Sequence, residues 1–145
     1  MANSFNLKVL TPNRTRYEGE AEMVILPGVQ GEFAILHDHM PIVAALKHGI
    51  MTIRSGGQDK IASVVEGFVQ VVNNQVTVTV TGFDWPDEID KNRAQEELEL
   101  AERKKNEAKS ELELKQAELA IRRASVKLEA CSYSAARVNR MVSDR

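Results

Sequence analysis

The chain has 145 residues and a balanced charge, 19 Lys and Arg against 21 Asp and Glu. That balance excludes a whole-protein basic field for nucleic acid or anionic lipid, and no apolar run approaches the ~20 residues of a membrane-spanning helix. A single cysteine, Cys131, excludes an intramolecular disulfide framework and a multi-cysteine zinc site. The start, MANSFNLKVL, has neither a basic beginning nor a long apolar stretch, so a soluble cytosolic chain without a secretory signal is expected.

The composition changes near Pro86. All 8 Gly lie between Gly19 and Gly82, and the 4 Pro are Pro12, Pro27, Pro41 and Pro86. Residues 87–145 contain neither, yet hold 26 of the 40 charged side chains. One half is punctuated by turns and the other is free of helix breakers. Two domains follow, 1–86 and 87–145.

In the first half apolar residues alternate with polar ones. Phe5, Leu7 and Val9 do so, and Val76, Val78 and Val80 alternate with Thr77, Thr79 and Thr81. Period two with β-branched residues predicts half-buried strands. Asn73-Asn74 and Gly56-Gly57 each separate two such runs and read as hairpin turns. Eight to ten short strands are expected, with no room for crossover helices. An antiparallel β-sandwich is the predicted fold.

The second half has helical periodicity. Ala94, Leu98 and Ala101 mark a first helix with Asp87 or Asp90 as N-cap, and Arg103 to Glu111 is the expected turn. A second helix carries Leu114, Ala117, Ile121, Ala124, Leu128, Cys131, Ala135, Val138 and Val142 at alternating steps of three and four. An antiparallel two-helix hairpin results. Four of these nine seam residues are Ala or Cys, which bury less than the ~1.5–3 kcal/mol worth of area of a Leu or Val. Such a hairpin packs closely but docks weakly, as a mobile element would. Small residues that merely permit close packing are the plainer reading.

No phosphate loop, GxGxxG, HExxH or GxSxG is present. His37 and His39 lack an accompanying carboxylate or cysteine cluster, because Asp38 would point to the opposite strand face, and they read as hydrogen-bonding loop residues. No metal site and no catalytic residue are expected. Two basic groups stand out, Arg122, Arg123 and Lys127, and then Arg137, Arg140 and Arg145 in the tail. They suit an acidic protein surface or nucleotide phosphates; a solvated face is the plainer alternative. On these residues alone a regulatory subunit, a free-standing nucleotide sensor and a coiled-coil adaptor all remain open.

Four blocks narrow the choice. They are LPGVQGEFAILHDHMPIVAALKHG (Leu26–Gly49), VEGFVQVVNNQVTVTV (Val65–Val80), IDKNRA (Ile89–Ala94) and AELAIRRA (Ala117–Ala124). In this order they resemble the epsilon subunit of rotary F-type ATP synthases, over residues 4 to about 130. The resemblance implies a non-catalytic rotor subunit on the cytoplasmic face of a membrane. Its membrane association would come only through the complex, and the coupling ion, H⁺ or Na⁺, would be set by other subunits. Its implied partners are the gamma subunit, the ring of c subunits and, through an extended hairpin that inhibits ATP hydrolysis, the catalytic alpha and beta subunits. Nucleic acid is not among them. Glu32 and His39 are the implied ring contacts, and Arg122, Arg123 and Lys127 suit a catalytic-head contact. No cofactor is required, but some family members bind ATP through an I/L-D-x-x-R-A motif, matched here by Ile89, Asp90, Arg93 and Ala94, with second-helix arginines. Arg123 matches one of those; Lys127 replaces another, and Leu100 stands where a further arginine is expected. ATP is therefore expected to be a weak regulatory ligand, since Lys lacks the fork of Arg and Leu donates nothing.

Overall fold

The computed structural model describes the backbone of residues 3–143 and the side chains of residues 3–132. The chain forms two compact units, Met1–Phe83 and Asp84–Arg145. The seam positions Ala135, Val138 and Val142 and the tail arginines Arg137, Arg140 and Arg145 lie outside the described side chains.

The first unit is built from ten strands: β1 (Phe5–Leu10), β2 (Thr15–Ala21), β3 (Met23–Gly28), β4 (Gly31–Leu36), β5 (Ile42–Leu46), β6 (Gly49–Ser55), β7 (Gln58–Val64), β8 (Gly67–Val72), β9 (Gln75–Val80) and β10 (Phe83–Asp84). They pair in the order β10-β7-β6-β3-β5-β8-β9-β1-β2, with β4 added to β3. The two halves of this path are joined between β3 and β5 by the register pair Gly28↔Leu46, flanked by Val29 N donating to Ala45 O and Lys47 N donating to Pro27 O. One layer is β4, β3, β6, β7 and β10, and the other is β5, β8, β9, β1 and β2. Alternation buries one face of each layer: Leu7, Val9, Val69, Val71, Val76 and Val78 from one, Val24, Leu26, Ile35, Met51 and Ile53 from the other. This is a sandwich with one shared core. One pairing departs from the antiparallel expectation. β1 runs parallel to β9, from Asn6↔Gln75 to Leu10↔Thr79, because both strands start from the same end of the layer, where Asn6 N donates to Asn74 O at 3.2 Å.

The predicted turns form as the residues require. Asn73 and Asn74 take φ of 50° and 61°, and Gly56 and Gly57 take 60° and 75°. These left-handed pairs match the two-residue hairpin turn that follows strand twist. In the β6–β7 hairpin Arg54 is held by Asp59 at 2.8 Å. The side-chain hydrogen bond first, then the charge of Asp59, raise the guanidinium above its ordinary proton affinity.

The second unit begins with a 3-10 turn, Pro86–Glu88, followed by α1 (Lys91–Glu107) and α2 (Glu111–Ser143). The expected turn between helices shortens to 108–110, since α1 continues through its charged end to Glu107. Ser110 Oγ accepts from Glu113 N at 3.2 Å, the N-cap pattern for α2. Ala94 and Ala101 of α1 and Ala117 and Ala124 of α2 are buried, whereas Leu112 and Leu114 are exposed. Alanines are the fully buried members of the predicted seam, with Leu98, Ile121 and Leu128 half-buried beside them. Val126 and Ala130 are also buried, turned roughly 200° and 240° around the helix from Ala124, so burial on α2 is not confined to one face. None of the described helices is long and apolar enough to cross a membrane.

Candidate functional site

In the second unit the I-D-x-x-R-A motif straddles the start of α1. Trp85 N donates to Glu88 Oε1 at 3.0 Å and Glu88 N donates to Trp85 O at 2.9 Å, which fixes the 3-10 turn. Ile89 closes that turn and Asp90 opens the helix, its Oδ1 accepting from Arg93 N at 3.2 Å. Asp90, rather than Asp87, is therefore the N-cap. Here an open cleft of about 300 Å³ is lined by Ile89, Asp90, Arg93 and Ala94 of the motif and by Lys127 of α2. The fold thus brings together motif residues and a second-helix cation separated by more than thirty positions. Arg122 and Arg123 are exposed and lie outside the lining.

Three carboxylates absent from the expected set also line the cleft: Asp84, Glu88 and Glu97. With Asp90 they set, among the described residues, four carboxylates against two cations, a formal charge of −2. Glu97 touches both cations, its Oε1 lying 3.4 Å from Arg93 Nε and its Oε2 4.0 Å from Lys127 Nζ. The Arg93–Glu97 spacing of four residues was visible in the sequence, but the approach of Lys127 depends on how the helices register.

In the first unit Glu32 lies near the start of β4, and His39 follows three residues after its last residue, Leu36. Glu32 pairs with Pro27 beside the exposed tip at Val29 and Gln30, while Leu36 at the far end pairs with Met23. Four residue steps along the strand take Glu32 to Leu36, roughly 13 Å, and His39 follows after that end. They do not form one cluster. His39 Nδ1 donates to Met40 O at 2.8 Å. Asp38 is a turn residue with φ of 56°, its N–H donating to Asn74 Oδ1 at 2.7 Å, and not a strand residue as expected. No group of three metal-ligating side chains occurs among the described residues.

A larger feature lies on the outer face of the β5–β8–β9 layer. These three adjacent strands contain no Asp, Glu, Lys or Arg. Register aligns Val43 with Gln70 and Thr77, Ala45 with Phe68 and Thr79, and Val72 with Gln75. Val43 is 73% exposed, Phe68 45% and Val72 42%, and Met40 beside the start of β5 is 69% exposed. A contiguous uncharged, partly apolar face on a chain with 28% charged residues has the chemistry of a protein-docking surface.

Comparison with known proteins gives matches along the chain. Residues 4–86 match the family described as ATP synthase, Delta/Epsilon chain, beta-sandwich domain, and residues 87–132 match its long alpha-helix domain. The ATP synthase epsilon chain of Alkaliphilus oremlandii is 41% identical over 104 residues, 72% of this chain and 78% of that one. That of Caldanaerobacter subterraneus is 39% identical over 133 residues, 91% of this chain and 96% of its own length. A chain in the cryo-EM structure of the Euglena gracilis mitochondrial ATP synthase (OSCP/F1/c-ring) superposes with a TM-score of 0.78 at 22% identity, covering 88% of this chain and 80% of that one. At that identity the superposition speaks for the fold.

Proposed function

The chain belongs to the family of ATP synthase epsilon chains, and we propose that it works as the non-catalytic epsilon subunit of the central stalk in a rotary F-type ATP synthase. The sandwich docks on the gamma subunit through the outer face of β5, β8 and β9. The observation that carries this assignment is the absence of charge across that face together with its exposed Val43, Phe68 and Val72. A partner of matching apolar surface gains from covering such a face without desolvating charges. The β3–β4 tip with Glu32 meets the c-ring, where a carboxylate can pair with a ring Arg or Lys. His39, beyond the other end of β4, belongs to a different contact.

The hairpin is the regulatory part. Its alanine-rich contact suits an element that opens and reaches the catalytic subunits to inhibit hydrolysis. The exposed Arg122 and Arg123, which lie outside the cleft, are the cations offered to an acidic partner surface. The cleft at Asp90 and Arg93 is the nucleotide site of the closed hairpin, with low affinity because its described lining carries a net negative charge. The protein thus reaches the cytoplasmic face of the membrane as part of the complex, whether H⁺ or Na⁺ drives rotation.

Purification of the tagged chain from its own cells tests the assignment. Gamma and c subunits should co-purify in fixed proportion after detergent extraction. Recovery of the chain free of gamma, from a preparation in which the rest of the stalk is assembled, would overturn it.

A further inference from the structure

Phosphate groups are held by cations whose donors can converge on them. In the hairpin cleft the two cations that line it among the described residues, Arg93 and Lys127, already meet one carboxylate. The two oxygens of Glu97 are divided between them, one near Arg93 on the preceding turn of α1 and one near Lys127 on α2. Two other lining carboxylates are committed elsewhere, Glu88 to Trp85 N and Asp90 to Arg93 N. We infer that Glu97 is the specificity-determining residue of this cleft: its carboxylate stands where a phosphate of a nucleoside triphosphate would stand and keeps such ligands weak. The inference rests on the reading above that this cleft is the nucleotide site of the hairpin.

Tethering explains why so small a group competes. Glu97 is carried on α1 itself, so its effective concentration at the cations is that of an intramolecular partner. An incoming phosphate must displace it and then remain close to a charge of the same sign. The Arg93–Glu97 pair is exposed, at 78% and 45% side-chain exposure, Lys127 is half-buried, and pairs this open to water add little to stability. Removing the charge should therefore leave the hairpin folded while changing what the cleft accepts. Glutamine keeps the length and helix propensity of Glu97 and removes only the charge.

Calorimetric titration of magnesium-ATP into the full chain and its Glu97→Gln variant tests the inference, with adenosine as the phosphate-free control and far-UV circular dichroism to confirm equal helix content. Glu97→Gln should bind ATP about tenfold more tightly than the native chain. The gain should vanish when Arg93→Ala is added, and adenosine affinity should not change. Equal ATP affinities for the native chain and Glu97→Gln overturn the role of Glu97, as does an equal gain for adenosine. If the two affinities are equal but Arg93→Ala weakens ATP binding by the native chain, the nucleotide site stands and only Glu97 is misassigned. If Arg93→Ala is also without effect, both readings fall.

Discussion

Replacing Asp90 with alanine removes a single acceptor at the start of α1, and the local geometry sets the size of the effect. Asp90 is extended, with φ of −82° and ψ of 104°, and its Oδ1 accepts from Arg93 N at 3.2 Å. Losing an N-cap of this kind costs about 1 kcal/mol. The helix has little to set against that loss, since only Ala94 and Ala101 of its 17 residues are buried. Two methyl groups contribute far less than a pair of buried leucines would. The first turn should therefore fray, and about 1 kcal/mol corresponds to a roughly fivefold larger open population. Native-state hydrogen exchange, read by NMR at the Arg93 and Ala94 amides, measures this directly. Asp90→Ala should exchange about fivefold faster than the native chain, while Asp90→Asn, which keeps an acceptor, should stay within about twofold. Identical exchange in Asp90→Ala and the native chain would refute the capping account.

Three further outcomes are expected. Gly67→Ala should lower stability by about 2 kcal/mol or more, because its Cβ would meet the Thr79 carbonyl oxygen and lie 2.7 Å from Val80 Cα, both backbone; an unchanged thermal midpoint contradicts the β8–β9 register. Leu26→Ala, at a fully buried core position, should cost about 2–5 kcal/mol in urea unfolding; a loss under 1 kcal/mol would mean that the shared core is not packed as described. Ending the chain after Pro86 should leave a folded sandwich by circular dichroism and should raise ATP hydrolysis by the assembled head. Unchanged hydrolysis would show that the hairpin is not an inhibitor in this protein.

Where local chemistry dictates structure, the sequence was readable. The Val-Thr alternation of β9, the Asn73-Asn74 and Gly56-Gly57 turns, and the missing helix breakers after Pro86 each act within a few residues. What the chain does not announce is which distant segments meet. Alternation in β1 says that one face is buried, but not that its neighbour β9 runs parallel to it. Glu32 and His39 lie in one continuous block, yet the length of β4 runs between them. The uncharged face exists only because β5, β8 and β9 become neighbours, although each is separately free of charge in the sequence. In the hairpin the seam of threes and fours captured Ala117 and Ala124 but not Val126 and Ala130, which are buried on another side of α2. Glu97 carries no signal in the sequence because an i,i+4 pair on a helix is ordinary until a cation from another helix joins it.

The central claim, that the uncharged outer face docks gamma, is tested most directly by titrating the cognate gamma subunit with the native chain and with Val43→Glu. Val43 is exposed in the free chain, so a glutamate there should not disturb folding, and thermal unfolding should be unchanged. In the complex it would place a carboxylate in an apolar interface, at a cost of about 2–3 kcal/mol, or roughly 30- to 150-fold in Kd. A loss of that size with the fold intact is the predicted result. Native affinity in Val43→Glu would place the gamma contact elsewhere and contradict the account.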